Sequence, residues 1–365
     1  MKPLARALTL AALVGAGCGG RAPGFDHCKP PAGGVTLQQA IDHYPHVTDF
    51  CLVDIEHQQL ATNPQAIPYD LNTPLFSDYA LKTRSAWLPS GAQAQYSPDQ
   101  PFDFPVGTIL IKTFAFAPDL RQPTAGVKLV ETRLLIKNPA EWIGLPYIWN
   151  DAQSEAALSI GGEVAPIDFI DPSGMPQHAQ YLVPQANQCQ QCHDVGMNQL
   201  PIGPKARQLN KDYVYDTGAE NQLAHWTRLG VVAGAPAPDQ APKLPVWSDS
   251  STGTVAERAR AWLEGNCAHC HSPDGLARTT GLTLWASDAT PVDFGICKPP
   301  VAAGPATGGR QYDIVPGKPD DSILVYRIES TTPGIAMPEI GRSVVHAEGV
   351  ALIRQWISEM PGSCP

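Results

Sequence analysis

Charge is scarce in this chain and leans to one sign. Only 16% of its residues are charged, with 25 Lys and Arg against 35 Asp and Glu and a formal net charge of −10. No basic patch stands out, which excludes nucleic acid as a partner. Long apolar runs are missing too. The stretch from Leu8 to Gly17 is about half the ~20 residues that a spanning helix needs, and no later segment is longer and equally apolar. Tandem repeats are also absent, apart from one short cysteine–histidine pattern that occurs twice.

The opening MKPLARALTLAALVGAGCGG has a basic start at Lys2 and Arg6, a short apolar stretch and small residues at its end. That is the pattern of a cleaved export signal over residues 1–17. Cys18 resembles the cysteine of the bacterial lipobox, which is acylated and becomes the first residue. Gly15, where the lipobox usually has leucine, departs from the pattern. Gly19 is not the aspartate that retains many lipoproteins in the inner membrane. The expectation is an exported, periplasm-facing protein, lipidated at Cys18 and held to the outer membrane by that lipid.

Nine cysteines partition cleanly in an oxidising compartment. Cys18 takes the lipid, and Cys189, Cys192, Cys267 and Cys270 form two CxxC pairs. Cys28, Cys51, Cys297 and Cys364 remain, an even number suited to disulfides. Three pairings are possible. Proximity in sequence favours Cys28–Cys51, leaving Cys297–Cys364 to tie the C-terminal tail to a long loop.

With 365 residues the chain is long enough for two cored domains. Residues 18–65 look irregular. Residues 66–230 read as a β-rich antiparallel domain: VGTILIKTFAF (106–116) is β-branched and aromatic, and EWIGLPYIWN and HAQYLVP look like further strands. In VKLVETRLLIK (127–137), Val130, Thr132, Leu134 and Ile136 share one face, with Glu131, Arg133 and Lys137 opposite. That alternation predicts a half-buried strand. The 37 prolines suit many short elements and turns. GAENQLAHWTRLG looks helical, and the Pro- and Ala-rich segment 231–251 reads as a linker. Residues 252–365 carry two helical stripes. One is Ala256, Ala259, Trp262 and Leu263; the other is Val350, Ile353, Trp356, Ile357 and Met360.

The repeated pattern is C-x-x-C-H, at NQCQQCH and NCAHCH. It is the attachment signature of c-type haem: two thiols add to the porphyrin vinyl groups and the histidine ligates the iron. Covalent attachment holds the cofactor without a deep apolar pocket, and the fixed spacing sets the imidazole under the iron. A four-cysteine zinc site would have to span the long separation between Cys192 and Cys267, and would leave both histidines without a role. A redox dithiol leaves them equally unexplained. The expected cofactors are therefore two covalently bound haem c groups, one on Cys189, Cys192 and His193, the other on Cys267, Cys270 and His271.

Two resemblances extend this reading. Residues 252–365 resemble a class I cytochrome c domain: a helix leading into CAHCH, a middle helix DDSILVYRI, a Met-Pro loop GIAMPEIG and a final helix VALIRQWISEM. The insertion between Cys270 and Asp320 departs from the short members of that family. At whole-chain level the sequence resembles a family of bacterial diheme c-type cytochromes whose genes lie beside secreted parallel β-helix proteins. The matching stretches include YDLNTPLFSDYALKTR, FPVGTILIKTFAF, PYIWND, NQCQQCH, PIGPKARQLN, NQLAHW and GRQYDIVPGKPDDSILVYRIESTTPGIAMPE. The resemblances imply a multidomain chain, a β-rich antiparallel domain carrying the first motif plus an all-α cytochrome c-like C-terminal domain in which Trp262 and Trp356 make natural helix–helix contacts. They also imply redox partner proteins and a secreted β-helix partner.

Met337, in a Gly/Pro loop 66 residues after His271, is the expected second axial ligand of the C-terminal haem. For the first haem Met197 follows His193 too closely to reach the opposite face. His225 is the first choice there, followed by His178 and Met175. Lys205 and Arg207 are candidates to pair with haem propionates. The leading function is electron transfer between a periplasmic or membrane donor and an acceptor. The alternatives are a diheme peroxidase with one open haem, and a scaffolding lipoprotein that grips a secreted partner.

Overall fold

The computed structural model describes residues 24–25, 28–56, 58–195, 198–301 and 303–365. The export signal, Cys18 and Met197 lie outside them. β-branched and aromatic runs, punctuated by proline and glycine, form an antiparallel meander: β1 (Ile67–Pro68), β2 (Leu81–Trp87), β3 (Ile109–Phe116), β4 (Lys128–Lys137), β5 (Trp142–Trp149) and β6 (Ala156–Leu158). Each strand pairs with its neighbour in sequence, so the sheet order is β1-β2-β3-β4-β5-β6. A hairpin of β7 (Glu163–Ile170) and β8 (Pro176–Val183) follows.

One face of the sheet is covered by the N-terminal segment. Ile109, Ile111, Leu134, Ile136, Leu145 and Tyr147 pack there against Ala40, Val47 and Phe50. Part of this segment, expected to be irregular, is ordered. Helix α1 (Leu37–His43) starts at a capping box in which Thr36 and Gln39 bond each other's backbone. A ribbon of Val53–Glu56 and Gln59–Thr62 follows. The Cys28–Cys51 disulfide, with S–S 2.06 Å, fastens the segment, and Cys297–Cys364 closes the second bridge at 2.15 Å. These are the pairs that sequence proximity favours. Two disulfides belong to an oxidising, exported environment. Among the described residues no helix is long and apolar enough to cross a membrane.

The other face is covered as well, so β4 is not half-buried. Its alternation also breaks at a bulge: Phe114 pairs with Glu131 and Ala115 with Leu129, leaving Val130 unpaired. Val130 thereby leaves the face of Leu134 and Ile136 and joins Phe114, Phe116, Phe169 and Tyr181. Glu131, on the face expected to meet water, is fully buried. It accepts hydrogen bonds from Tyr181 Oη (2.5 Å) and from Arg133 Nε (2.8 Å) and Nη2 (2.5 Å).

The remaining α-helices among the described residues are α2 (Cys189–His193), α3 (Ala206–Leu209), α4 (Gln222–Arg228), α5 (Val255–Asn266), α6 (Ile323–Glu329) and α7 (Ala347–Glu359). An all-α cytochrome c-like C-terminal domain is not what forms. The protein is β-rich, with 25% strand and 22% helix, and residues 252–365 are not an all-α domain. Only α5, α6 and α7 are α-helical there; most of the remainder is turn and irregular chain, with bridges Ile296↔Ile314 and Tyr312↔Ser322. The insertion explains the difference. Pro291, Pro299, Pro300, Pro305 and Pro316 remove donors and clash with a preceding turn, while Gly295, Gly308 and Gly317 take positive φ. Helices α5 and α7 do pack together, with Trp262 closely against Gly349, whereas Trp356 meets Phe294 edge-on at 5.9 Å.

The C-terminal region is sewn to the sheet by buried polar contacts. Glu264 near the end of α5 accepts from Arg207 Nε at 2.6 Å and from Ala286 N at 2.9 Å. The amide of Phe76 donates to Asn266 Oδ1 (2.8 Å), and the amides of Ser343 and Val344 donate to Asp78 (2.6 and 2.9 Å). Segment 231–251 does not run free between the two regions. Val232–Ala233 pairs with Ala94–Gln95, Leu244 N bonds Arg207 O, and Pro245 O accepts from Thr73 Oγ1. Removing one partner of a buried ion pair strands the other charge. Glu264→Ala is therefore expected to lower the unfolding free energy by about 3–5 kcal/mol, read from the urea midpoint. Glu348→Ala removes the exposed bond from Tyr79 Oη (2.6 Å) across the same junction, and should cost only about 1 kcal/mol.

Candidate cofactor site

The first motif lies on a single helical turn. Helix α2 spans Cys189–His193, so both cysteines and the histidine, at i, i+3 and i+4, project to one side. Close approach to the sheet is made possible by Gly144 on β5, where a Cβ would stand 2.6 Å from Cys189 Sγ. The second motif forms a turn directly after α5. The amides of Cys270 and His271 both bond the carbonyl of Cys267, at 3.1 and 2.9 Å, which groups its three functional side chains in the same way. All four CxxC cysteines are unbridged and half-buried.

The two motifs open into one cavity of about 550 Å³. Its floor is the face of the sheet bearing Leu110, Lys112 and Arg133, and its far wall is α6 with the loop at Met337. The motifs are close enough for the Cys270 thiol to donate to the carbonyl of Gln191 at 3.4 Å. Cys192 and Cys270 act on each other. The Cys270 thiol hydrogen bond is the chief influence pulling Cys192 down to about 4, against burial, while Cys270 itself is pushed up. Burial pushes Cys267 up to about 12.

Each motif histidine is oriented through Nδ1. That of His193 lies 2.7 Å from the carbonyl of Leu200, which can only accept, so Nδ1 carries the proton and Nε2 is the free acceptor. In His271 Nδ1 is 3.1 Å from Thr280 Oγ1, whose hydroxyl hydrogen is directed to Ala277 O. The same tautomer follows. Burial is the main cause that lowers both imidazoles to about 4, so both are neutral at physiological pH. Neutral imidazoles with a free Nε2 are what a metal requires of histidine.

The cavity also encloses lysines. Lys112 and Lys205 line it and form no ion pair among the described residues. Enclosure lowers Lys205 to about 7 and Lys112 well below its usual range. Lys205 lies 3.9 Å from the centre of the Trp285 ring. A flat apolar group carrying carboxylates would supply what this cavity lacks. The donor set, two thiols and a neutral imidazole twice over on apolar walls with unpaired ammonium groups, fits haem c at both motifs. A single four-cysteine zinc site does not fit: among the described residues no group of three or more His, Cys, Asp or Glu side chains is placed to hold one metal ion.

Cys189, Cys192, His193, Cys267, Cys270, His271, Met337 and Lys205 all line the cavity. His225 does not. It is buried beside the Tyr215 ring, 3.5 Å between centroids, with Nδ1 at 2.6 Å from Glu220 and 3.0 Å from Arg228. Helix α4 turns Leu223 and Trp226 into the core beside the sheet, which leaves His225 in this separate cluster. His178 is exposed on β8 against Asp168, Met175 is exposed at the turn of that hairpin, and Arg207 is engaged with Glu264. What sequence reasoning missed is His269, inside the CAHCH motif itself, along with Lys112. His269 is 7% exposed and lines the cavity, and its Nδ1 has no hydrogen-bond partner. Leaving such a group unsatisfied costs about 1–3 kcal/mol. The signal was a fourth potential ligand among the five residues of CAHCH.

No family model matches the chain, and no match is found among curated proteins or solved structures.

Behind the Met337 loop sits His346, which accepts from Trp262 Nε1 at 3.0 Å and stacks on Phe76 at 4.2 Å. Burial, then the charges of Lys82 and Arg342, lower it to about 3; Glu348 is 3.9 Å away. Its folded pKa is below the unfolded value of about 6.5, so the unfolded chain binds the extra proton. Its contribution to stability is complete above pH 6.5 and is lost as pH falls towards 3, on the order of 4 kcal/mol in full. His346→Gln keeps the acceptor and is expected to flatten the pH dependence of the urea midpoint in that window.

Proposed function

We propose that the protein is an exported diheme c-type cytochrome that passes electrons between a periplasmic or membrane donor and an acceptor protein. One observation carries this reading: two CxxCH motifs far apart in sequence line the same apolar cavity. Haem supplies the reversible one-electron couple when bound. The chain supplies everything else. Cys189 and Cys192 hold one porphyrin and Cys267 and Cys270 the other, while His193 and His271 present Nε2 to the irons. Leu200 O and Thr280 Oγ1 fix the two rings. Lys112 and Lys205 pair with propionates, and the apolar walls exclude water. Met337, on the cavity wall, would help hold the haem on His271, and a thioether ligand would raise that haem's potential.

The location proposed is the outer membrane, facing the periplasm, through acylation of Cys18. Cys18→Ser should release the protein from the membrane fraction.

The central test is mass and spectrum. Protein from a host with c-type maturation should retain two haems after denaturation. Cys192→Ala and Cys270→Ala should each damage one attachment. Met337→His should lower the potential of one haem only, and the ferric protein should show the sulfur-to-iron band of methionine ligation. A wild-type protein with no covalent haem would sink the proposal. One haem that is high-spin and turns over peroxide would move it to the peroxidase class.

A further inference from the structure

The diheme reading leaves the first haem without a second axial ligand, because His225, His178 and Met175 all lie off the cavity. We infer that His269 fills that position, so that the haem on Cys189, Cys192 and His193 is ligated by two histidines. The inference rests on the diheme reading and extends it to the residue between the second motif's cysteines.

Four observations carry it. His269 is more than nine-tenths buried and lines the shared cavity. Its Nδ1 is buried with no partner, so the ring's hydrogen-bonding capacity is only partly used. Its side chain hydrogen-bonds Cys192, which makes it a neighbour of the first motif although it belongs to the second. Finally, His193 already has Nδ1 committed to Leu200 O, so its own orientation needs nothing from His269.

His269 cannot serve the haem of its own motif. It stands between Cys267 and Cys270 and two residues before His271, a tether too short to reach the far face of that porphyrin. Lys112 is the competing donor, since it lines the floor near His193 and forms no ion pair among the described residues. Its ammonium, however, rests over the Phe114 ring at 4.6 Å, against the strand that carries it. With His269 as ligand, residues 267–271 touch both irons. The two redox centres then share one short, rigid turn.

The experiment uses the full-length, matured protein whose haem content has been established by mass. Wild type should show both ferric haems low-spin by electron paramagnetic resonance. His269→Ala should convert one of the two haems to high-spin, and added imidazole should return it to low-spin. His269→Met should raise the midpoint potential of one haem and leave the other in place. If both haems stay low-spin in His269→Ala, or if Lys112→Ala produces the high-spin haem instead, the inference is overturned. Should His269→Ala not accumulate, the His269→Met potentials decide, and unmoved potentials overturn it. Wild type carrying one high-spin haem overturns it while leaving covalent attachment intact. Absence of covalent haem is a separate result that removes the diheme reading beneath it.

Discussion

The buried carboxylate of Glu264 is the contact on which the arrangement of the site most depends. It ends a helix whose next residues are the second motif, and it accepts from Arg207, which lies beyond the first motif in sequence. Both side chains are withdrawn from water, so neither tolerates loss of the other. The second oxygen of Glu264 takes the amide of Ala286 and so orders the loop beyond the motif. Asp78, held by two backbone amides from the Met337 side, makes a second join. Between these two points the walls of the cavity are set.

Within those walls the chain spends its polarity sparingly. Apolar side chains and neutral imidazoles line a space that also encloses two lysines held in no ion pair among the described residues. The cost of enclosing Lys112 and Lys205 is visible in their lowered pKa values. Such a cost makes sense in a protein that folds around, or is completed by, an anionic group. The motif histidines are treated differently: each has one nitrogen committed to an oxygen acceptor and the other free. His269 has neither arrangement in full, which is why it stands out among the buried rings.

The two disulfides lie away from this centre. Cys28–Cys51 pins the N-terminal cover to one face of the sheet, and Cys297–Cys364 ties the C-terminal tail to the long insertion. Both constrain segments with little regular structure, where conformational entropy most opposes folding. The four cysteines of the motifs stay unbridged, so the chain separates structural sulfur from sulfur available for chemistry.

Much of this was legible one residue at a time. CxxCH spacing, the strands over 109–116 and 142–149, the helical stripe before the second motif and the even set of remaining cysteines are local signals. Each is set by backbone propensity or by covalent chemistry within a few residues. The class of the C-terminal region was not legible, because helical stripes at its two ends say nothing about a long Gly- and Pro-rich insertion between them. Nor could sequence reveal that Val130 is bulged out, that Glu131 is buried, or that His225 stacks on Tyr215 while His269 faces the shared cavity. Those facts depend on which surfaces meet after the sheet is covered on both faces. The sequence alone determined the cysteines and histidines of each motif and their spacing. Only the tertiary structure decided that the two motifs share one space, since that requires contacts such as Arg207 with Glu264 between residues that no local rule connects.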